Sequence, residues 1–245
     1  MTDEIAVLSG KVAVISGASS GIGAAIARKL SEQGVSLVVT ARRRDRLEAL
    51  CNSLPNPSVN LAADIEDPQT PEHLLALAQE HFGRADIVVN NAGTLVSGGI
   101  DDVNVDDLMR MSRVNYEAVV RMSYVFGRHF KARESGAIIN ISSIGAYLSH
   151  SSMAVYGGLK QALETFTTAL RVELKGSGVR VSSIAPGTTE TEIFDGLRAE
   201  GKPVAADLSV ALAPADVAEA VYFALTRPSR ANVARLLLVS SAESA

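Results

Sequence analysis

Tryptophan is absent from the 245 residues, aromatics reach only 4%, and cysteine occurs once, at Cys51. A core without large rings must be filled by aliphatic and small side chains. At 47% apolar, the chain has enough of them to cover both faces of a buried sheet. A single cysteine excludes an intramolecular disulfide and fits a reducing compartment. No apolar run approaches the roughly 20 residues of a membrane-spanning helix. The start, Met1-Thr2-Asp3-Glu4, lacks the basic and apolar stretches of a secretory signal. His73, His81, His129 and His150 have no cysteine or carboxylate at ligand spacing, so no metal site is expected. A formal charge of −4 argues against nucleic-acid binding. The reading is a soluble, cytoplasmic protein without nucleic-acid or membrane partners.

Strand-like and helix-like segments alternate along the chain. Val12 to Ile15 is a short apolar run ending in a glycine-rich turn. Apolar residues then recur at helical spacing from Ile22 to Gln33, and Gly34 supplies the stop. Val35 to Thr40 reads as a strand, Arg43 to Leu54 as a helix, and Val59 to Ala62 as a third strand. Pro71 opens a helix that Gly83 ends, before a fourth strand at Ile87 to Val89. A long helix is expected from Val105 to about Phe130. A strand at Ala137 to Ile141, a helix from about Met153 to Lys175 and a strand at Val179 to Ile184 follow. Pro214 starts another helix, and Leu236 to Val239 closes the series. This rhythm implies an α/β fold: one Rossmann-like domain over residues 1–245, with a doubly wound parallel sheet of about seven strands and helices on both faces.

The first strand runs into Ser16-Gly17-Ala18-Ser19-Ser20-Gly21-Ile22-Gly23 at the start of a helix. Glycines so spaced allow a tight turn and close approach of a pyrophosphate to the helix N-terminus. At the end of the second strand an acidic residue would bind a free ribose hydroxyl and repel a 2′-phosphate. Here stand Thr40-Ala41-Arg42-Arg43, so NADP(H) is the expected cofactor. Arg44 and Arg46 read as solvated.

Tyr156 and Lys160 lie four apart on one helix face, a short loop after Ser142-Ser143 at the end of the fifth strand. Reducing a carbonyl needs a proton donor beside the oxygen. A phenol, with an ordinary pKa near 10, could serve if an ammonium and a cationic nicotinamide lowered it. Ser143 could hold the substrate oxygen.

Taken together, Gly17, Gly21 and Gly23, Asp64, Asn90 to Gly93, Asn115, Ser143, Tyr156, Lys160, Pro186-Gly187 and Thr191 resemble the short-chain dehydrogenase/reductase family over nearly the whole chain. The stretches Ala41-Arg42-Arg43 and Pro186 to Glu192 are similar to an NADP-dependent bacterial branch that includes serine-type 3-hydroxy acid dehydrogenases and clavulanate-type aldehyde reductases. The resemblance implies that Asn115, Ser143, Tyr156 and Lys160 are catalytic, with Asn115 bending its helix and holding a water near Lys160. It implies that Ser19, Ser20 and Ile22 join the glycines at the cofactor, that Asp64 and Ile65 border the adenine, and that Asn91, Ala92 and Gly93 line the cleft. Pro186, Gly187, Thr189 and Thr191 would cover the carboxamide. A homo-oligomer, a tetramer in preference to a dimer, would form through the long helices. Two departures stand out: Ser16 replaces the usual threonine, and Gly157-Gly158 follow Tyr156, each costing roughly 1 kcal/mol against alanine.

The substrate pocket is expected between Thr94 to Val96, Gly145 to Leu148, Met153 and the loop from Glu190 to about Asp207. Leu95, Val96, Leu148, Met153 and Phe194 would make it mainly apolar. Arg198 or Lys202 could meet a substrate carboxylate, and a neutral aldehyde or ketone fits equally. A non-catalytic NADP-binding redox sensor on the same fold is the alternative; it would have no use for Tyr156.

Overall fold

A computed structural model of the chain describes residues 8–201, 204–208 and 211–242. Seven strands form one parallel sheet: β1 (Val12–Ser16), β2 (Ser36–Ala41), β3 (Ser58–Ala62), β4 (Ile87–Asn90), β5 (Gly136–Ile141), β6 (Val179–Pro186) and β7 (Arg235–Leu238). Their order is β3-β2-β1-β4-β5-β6-β7. The chain first winds one way and then the other, so a crevice opens between the carboxyl ends of β1 and β4.

Alternate strand residues face opposite layers. Ala13, Ile15, Val89 and Ile139 pack with helices α1 (Gly21–Glu32), α2 (Arg44–Ser53) and α9 (Pro214–Leu225). Val14, Val88 and Ile138 face α3 (Thr70–Phe82), α5 (Ala118–Ala132) and α6 (Ala154–Glu173). The largest fully buried side chains there, Phe126 and Phe130, supply bulk that the missing tryptophans would otherwise give.

Pro71 lies in the first turn of α3, and Gly83 ends that helix at φ +71. The expected long helix is interrupted. It comprises α4 (Val105–Ser112), a π-helical turn (Arg113–Glu117) and α5. The loop after β6 carries two short helices, α7 (Asp195–Ala199) and α8 (Ala205–Leu208), where the sequence reads as loop. The closing strand runs one residue earlier than its apolar run suggests, because Arg235 pairs with Ser183 on β6.

Candidate active site

The crevice is a cleft of about 930 Å³ along the carboxyl ends of the strands. At one end lies the glycine turn. Gly17 has φ +68, and a Cβ there would come within 2.7 Å of Ala92 Cα. A Cβ on Gly23 would lie 2.3 Å from the Gly17 carbonyl oxygen. Ser16 Oγ accepts the N–H groups of Asn91 and Ala92, both at 3.1 Å, and Asn91 Nδ2 donates to the carbonyls of Ser16 and Gly17. Serine's hydroxyl is thus enough where the family usually has threonine. No acidic residue occupies the first turn of α1, and Ser20 makes no side-chain cap, so the N–H groups there stay open to an anion.

These contacts rank two glycines. Gly17→Ala combines a left-handed backbone with a backbone clash and should cost about 3 kcal/mol, or roughly 6–12 °C in Tm. Gly83→Ala has a similar φ in open space and should cost only about 1 kcal/mol. Thermal unfolding of the two variants checks the order.

Beside the glycine turn, Arg42 is exposed at the cleft wall and makes no ion pair among the described residues. Arg43 donates to Ser19 Oγ (2.8 and 3.2 Å), Ser20 Oγ (2.8 Å) and Glu192 (2.8 Å). Asp64 and Ile65 form the next stretch of wall. The Asp64 carboxylate accepts Glu66 N–H at 3.1 Å and lies 3.8 Å from Arg110.

At the other end, Ser143 Oγ accepts Gly145 N–H at 3.0 Å, and it lines the cleft together with the Tyr156 phenol. The phenol ring packs on Gly145, where a Cβ would come within 3.3 Å. Gly157 admits the Gly145 carbonyl, 3.0 Å from its would-be Cβ, so this glycine of the pair has a packing reason. Gly158 has no such neighbour. Lys160 is buried, with Nζ donating to the Ile141 carbonyl at 2.9 Å and 5.8 Å from the Tyr156 ring centroid. Asn115 sits in the π-helical turn. Its side chain is spent on Thr94, accepting the N–H at 2.9 Å and donating to the carbonyl at 2.8 Å.

A family model described as short chain dehydrogenase matches residues 11–202. The chain belongs to this family. Among its relatives, an uncharacterized oxidoreductase of Staphylococcus epidermidis is 38% identical over 224 residues, 91% of this chain and 94% of that protein. The closed form of serine dehydrogenase complexed with NADP+ superposes with a TM-score of 0.86 at 31% identity, covering 92% of this chain and 93% of that one. A metagenomic short-chain oxidoreductase in complex with NADP gives 0.81 at 30% identity, over 97% and 100% of the two chains. The protein is therefore an oxidoreductase of the short chain dehydrogenase fold.

In this short chain dehydrogenase the cleft brings together Gly17, Ser19, Ser20, Gly21, Ile22, Arg42, Arg43, Asn91, Ala92, Gly93, Asn115, Ser143, Tyr156 and Lys160. Pro186, Gly187, Thr189 and Thr191 line it, as do Leu95, Gly145, Leu148, Met153 and Phe194. Gly23 stands behind the wall, where its missing side chain lets α1 pack on the turn. Three readings need correction. Arg46 is not simply solvated, since it pairs with Glu192. Arg198 is taken up by Glu190 (2.9 Å) and Asp207 (2.7 Å) off the cleft wall. Tyr147 turns out of the expected pocket wall toward Glu164 and Arg235. Lys202 lies outside the described residues.

Sequence reasoning passed over two buried groups in this short chain dehydrogenase. Glu164, one helical turn past Lys160, accepts from Ser183 (2.5 Å) and Arg235 (2.9 Å). Asn140 joins the helix and strand layers, accepting from Asn90 (2.8 Å) and donating to Thr167 (2.9 Å). The available signal was a polar residue inside the apolar run Ile138-Ile139-Asn140-Ile141.

The electrostatics also differ from expectation. Burial pushes the Tyr156 phenol up, with the nearby Ser143 hydroxyl opposing. Burial brings Lys160 down to about 8, with Glu164 opposing. The ammonium faces the Ile141 carbonyl, so its charge does not overcome the phenol's desolvation. Because the folded pKa lies below the unfolded 10.5, the buried charge costs stability in full below pH 8. Lys160→Met should therefore stabilise the ligand-free protein at pH 7 by on the order of 2 kcal/mol: about 3 from the charge, less about 1 for the lost hydrogen bond. Between pH 8 and 10.5 the unfolded chain holds the extra proton, and the advantage should fade. Urea unfolding across that range tests it.

Proposed function

We propose that the chain interconverts a small carbonyl (an aldehyde, ketone or 3-oxo acid) and the corresponding alcohol, with NADP(H) as cofactor and Tyr156 as proton donor and acceptor. One observation carries this reading. Ser143, the Tyr156 phenol and a buried Lys160 share a cleft with an uncapped glycine turn and two arginines. The fit to a phosphorylated dinucleotide is chemical. The turn has no room for a Cβ, the first N–H groups of α1 have no side-chain cap, and Arg42 is exposed on the cleft wall with no ion pair among the described residues.

When bound, the nicotinamide would supply or accept the hydride. The protein's own groups do the rest. The glycine turn and α1 hold the pyrophosphate, Arg42 and Arg43 the 2′-phosphate. Asp64 and Ile65 bound the adenine side, and the segment from Pro186 to Thr191 covers the nicotinamide side. Ser143 orients the substrate oxygen, and Tyr156 exchanges a proton with it. Lys160 keeps a positive charge beneath the phenol. Both polar ends of the Asn115 side chain are occupied, so the opened backbone of the π-helical turn is what remains there to hold a water. Leu95, Leu148, Met153 and Phe194 favour an apolar substrate body, and the ion-paired state of Arg198 favours a neutral substrate over an acid. One domain carries both ends of the site, and a non-catalytic sensor would have no use for a phenol placed on a serine.

The test is loss of NADPH absorbance over a mixed panel of aldehydes, ketones and 3-oxo acids. Turnover of neutral carbonyls is expected. Micromolar NADPH binding with no turnover across a broad panel would favour the sensor.

A further inference from the structure

Building on the reading of this chain as an NADP(H) enzyme, we infer that Glu192 holds down the preference for the phosphorylated cofactor as an internal anion, occupying the 2′-phosphate arginines until a phosphorylated dinucleotide replaces it. Arg43 Nη1 donates to Glu192 Oε2 at 2.8 Å, and Arg46 Nη1 donates to Oε1. The other two nitrogens of Arg43 donate to Ser19 and Ser20. Every nitrogen of this guanidinium is thus engaged before a ligand arrives.

The three partners respond differently to an incoming phosphate. The serine hydroxyls are neutral and can turn their own protons toward a phosphate oxygen. A carboxylate has no proton to offer and can only repel. Glu192 cannot escape by protonation near neutral pH, because two guanidinium groups and the Ser20 hydroxyl draw its pKa down to about 2.

Two effects oppose each other. Glu192 also orients Arg43, and losing that restraint would weaken phosphate binding. The pair is well exposed, with 41% and 40% of the two side chains accessible, and pairs of that kind hold their partners weakly. The phosphate carries close to two charges beside the same guanidinium. Repulsion wins, so removing the carboxylate tightens binding of the phosphate. A nucleotide without the 2′-phosphate leaves the clasp in place. The clasp has a second end: Glu192 belongs to the segment whose neighbours Thr191, Ile193 and Phe194 line the cleft. Exchange at Arg43 therefore reaches the wall of the substrate pocket.

Calorimetric titration of wild type and Glu192→Gln with adenosine 2′,5′-bisphosphate and adenosine 5′-monophosphate tests this without turnover. The variant should bind the bisphosphate about five- to tenfold tighter, with the monophosphate unchanged within about twofold and the gain shrinking in high salt. Unchanged or weaker bisphosphate binding by the variant, with wild type still preferring the bisphosphate, overturns the proposal and spares the cofactor reading. Equal tightening of both nucleotides overturns it too. A wild type that does not distinguish the two nucleotides overturns the cofactor reading and this proposal with it.

Discussion

Tyr156→Phe is expected to lower kcat by about a thousandfold while NADPH affinity stays within about threefold of wild type. The substitution removes one oxygen. The ring that packs on Gly145 remains, as do Lys160 on the Ile141 carbonyl and the Ser143–Gly145 hydrogen bond. On the proposed reading the cofactor's phosphates bind at the far end of the cleft, and their binding should not register the change. On that reading, what disappears is the proton destined for the substrate oxygen as its charge develops, and positioned acids of this kind contribute about 10² to 10⁴ in rate. The loss should fall on kcat, with KM little changed, because a group acting only as charge develops adds little to ground-state binding. Ser143→Ala gives a useful contrast. It removes an orienting hydrogen bond but leaves the acid, so a loss of about ten- to a hundredfold is expected. Single-turnover measurements with saturating NADPH separate the two. Turnover of Tyr156→Phe within about tenfold of wild type would mean that another group delivers the proton.

Much of this could be read before the fold was known, because the deciding signals were local. The runs Val12 to Ile15 and Ile138-Ile139 are apolar on both faces, as buried parallel strands require, and Gly83 marked its helix end through its own backbone. Tyr156 and Lys160 share a face by helix geometry alone. The misses came from contacts between residues far apart in sequence. Arg46 and Glu192 are separated by 146 residues, and nothing local to either shows that the segment after β6 returns to the start of α2. Glu164 and Arg235 meet across 71 residues. Arg198 looked like a free cation because its partner Asp207 lies on α8, a helix too short to leave a periodic pattern. The π-helical turn was hidden for another reason. One extra residue in a turn changes which faces meet without breaking the apolar rhythm on either side. The direction of the Lys160 amine depended on the carbonyl at the end of β5, which spacing along α6 cannot reveal.

The second large effect concerns the two arginines, and the structure makes them unequal. Arg42 is exposed with no ion-pair partner among the described residues, so its whole guanidinium can serve a 2′-phosphate. Arg43 is shared among Ser19, Ser20 and Glu192. Charge-assisted hydrogen bonds contribute about 1.5–3 kcal/mol each when shielded, and less on so open a wall. Together the two should be worth about 3 kcal/mol, so Arg42→Ala/Arg43→Ala is expected to weaken NADPH about a hundredfold and NADH about threefold or less. The single variants refine this. Arg42→Ala should change NADPH alone, since that side chain has no ion pair to lose among the described residues. Arg43→Ala should also loosen the glycine turn through Ser19 and Ser20, giving NADH its small loss. Glu192 would then keep only Arg46, and its repulsion of the phosphate would act with less cation between them. The double variant should thus show a shallower salt dependence for NADPH than wild type, because fewer charges meet the phosphate. Equal weakening of NADPH and NADH by the double variant would mean that neither guanidinium senses the extra phosphate, and that the pair serves only to fasten the glycine turn to α2.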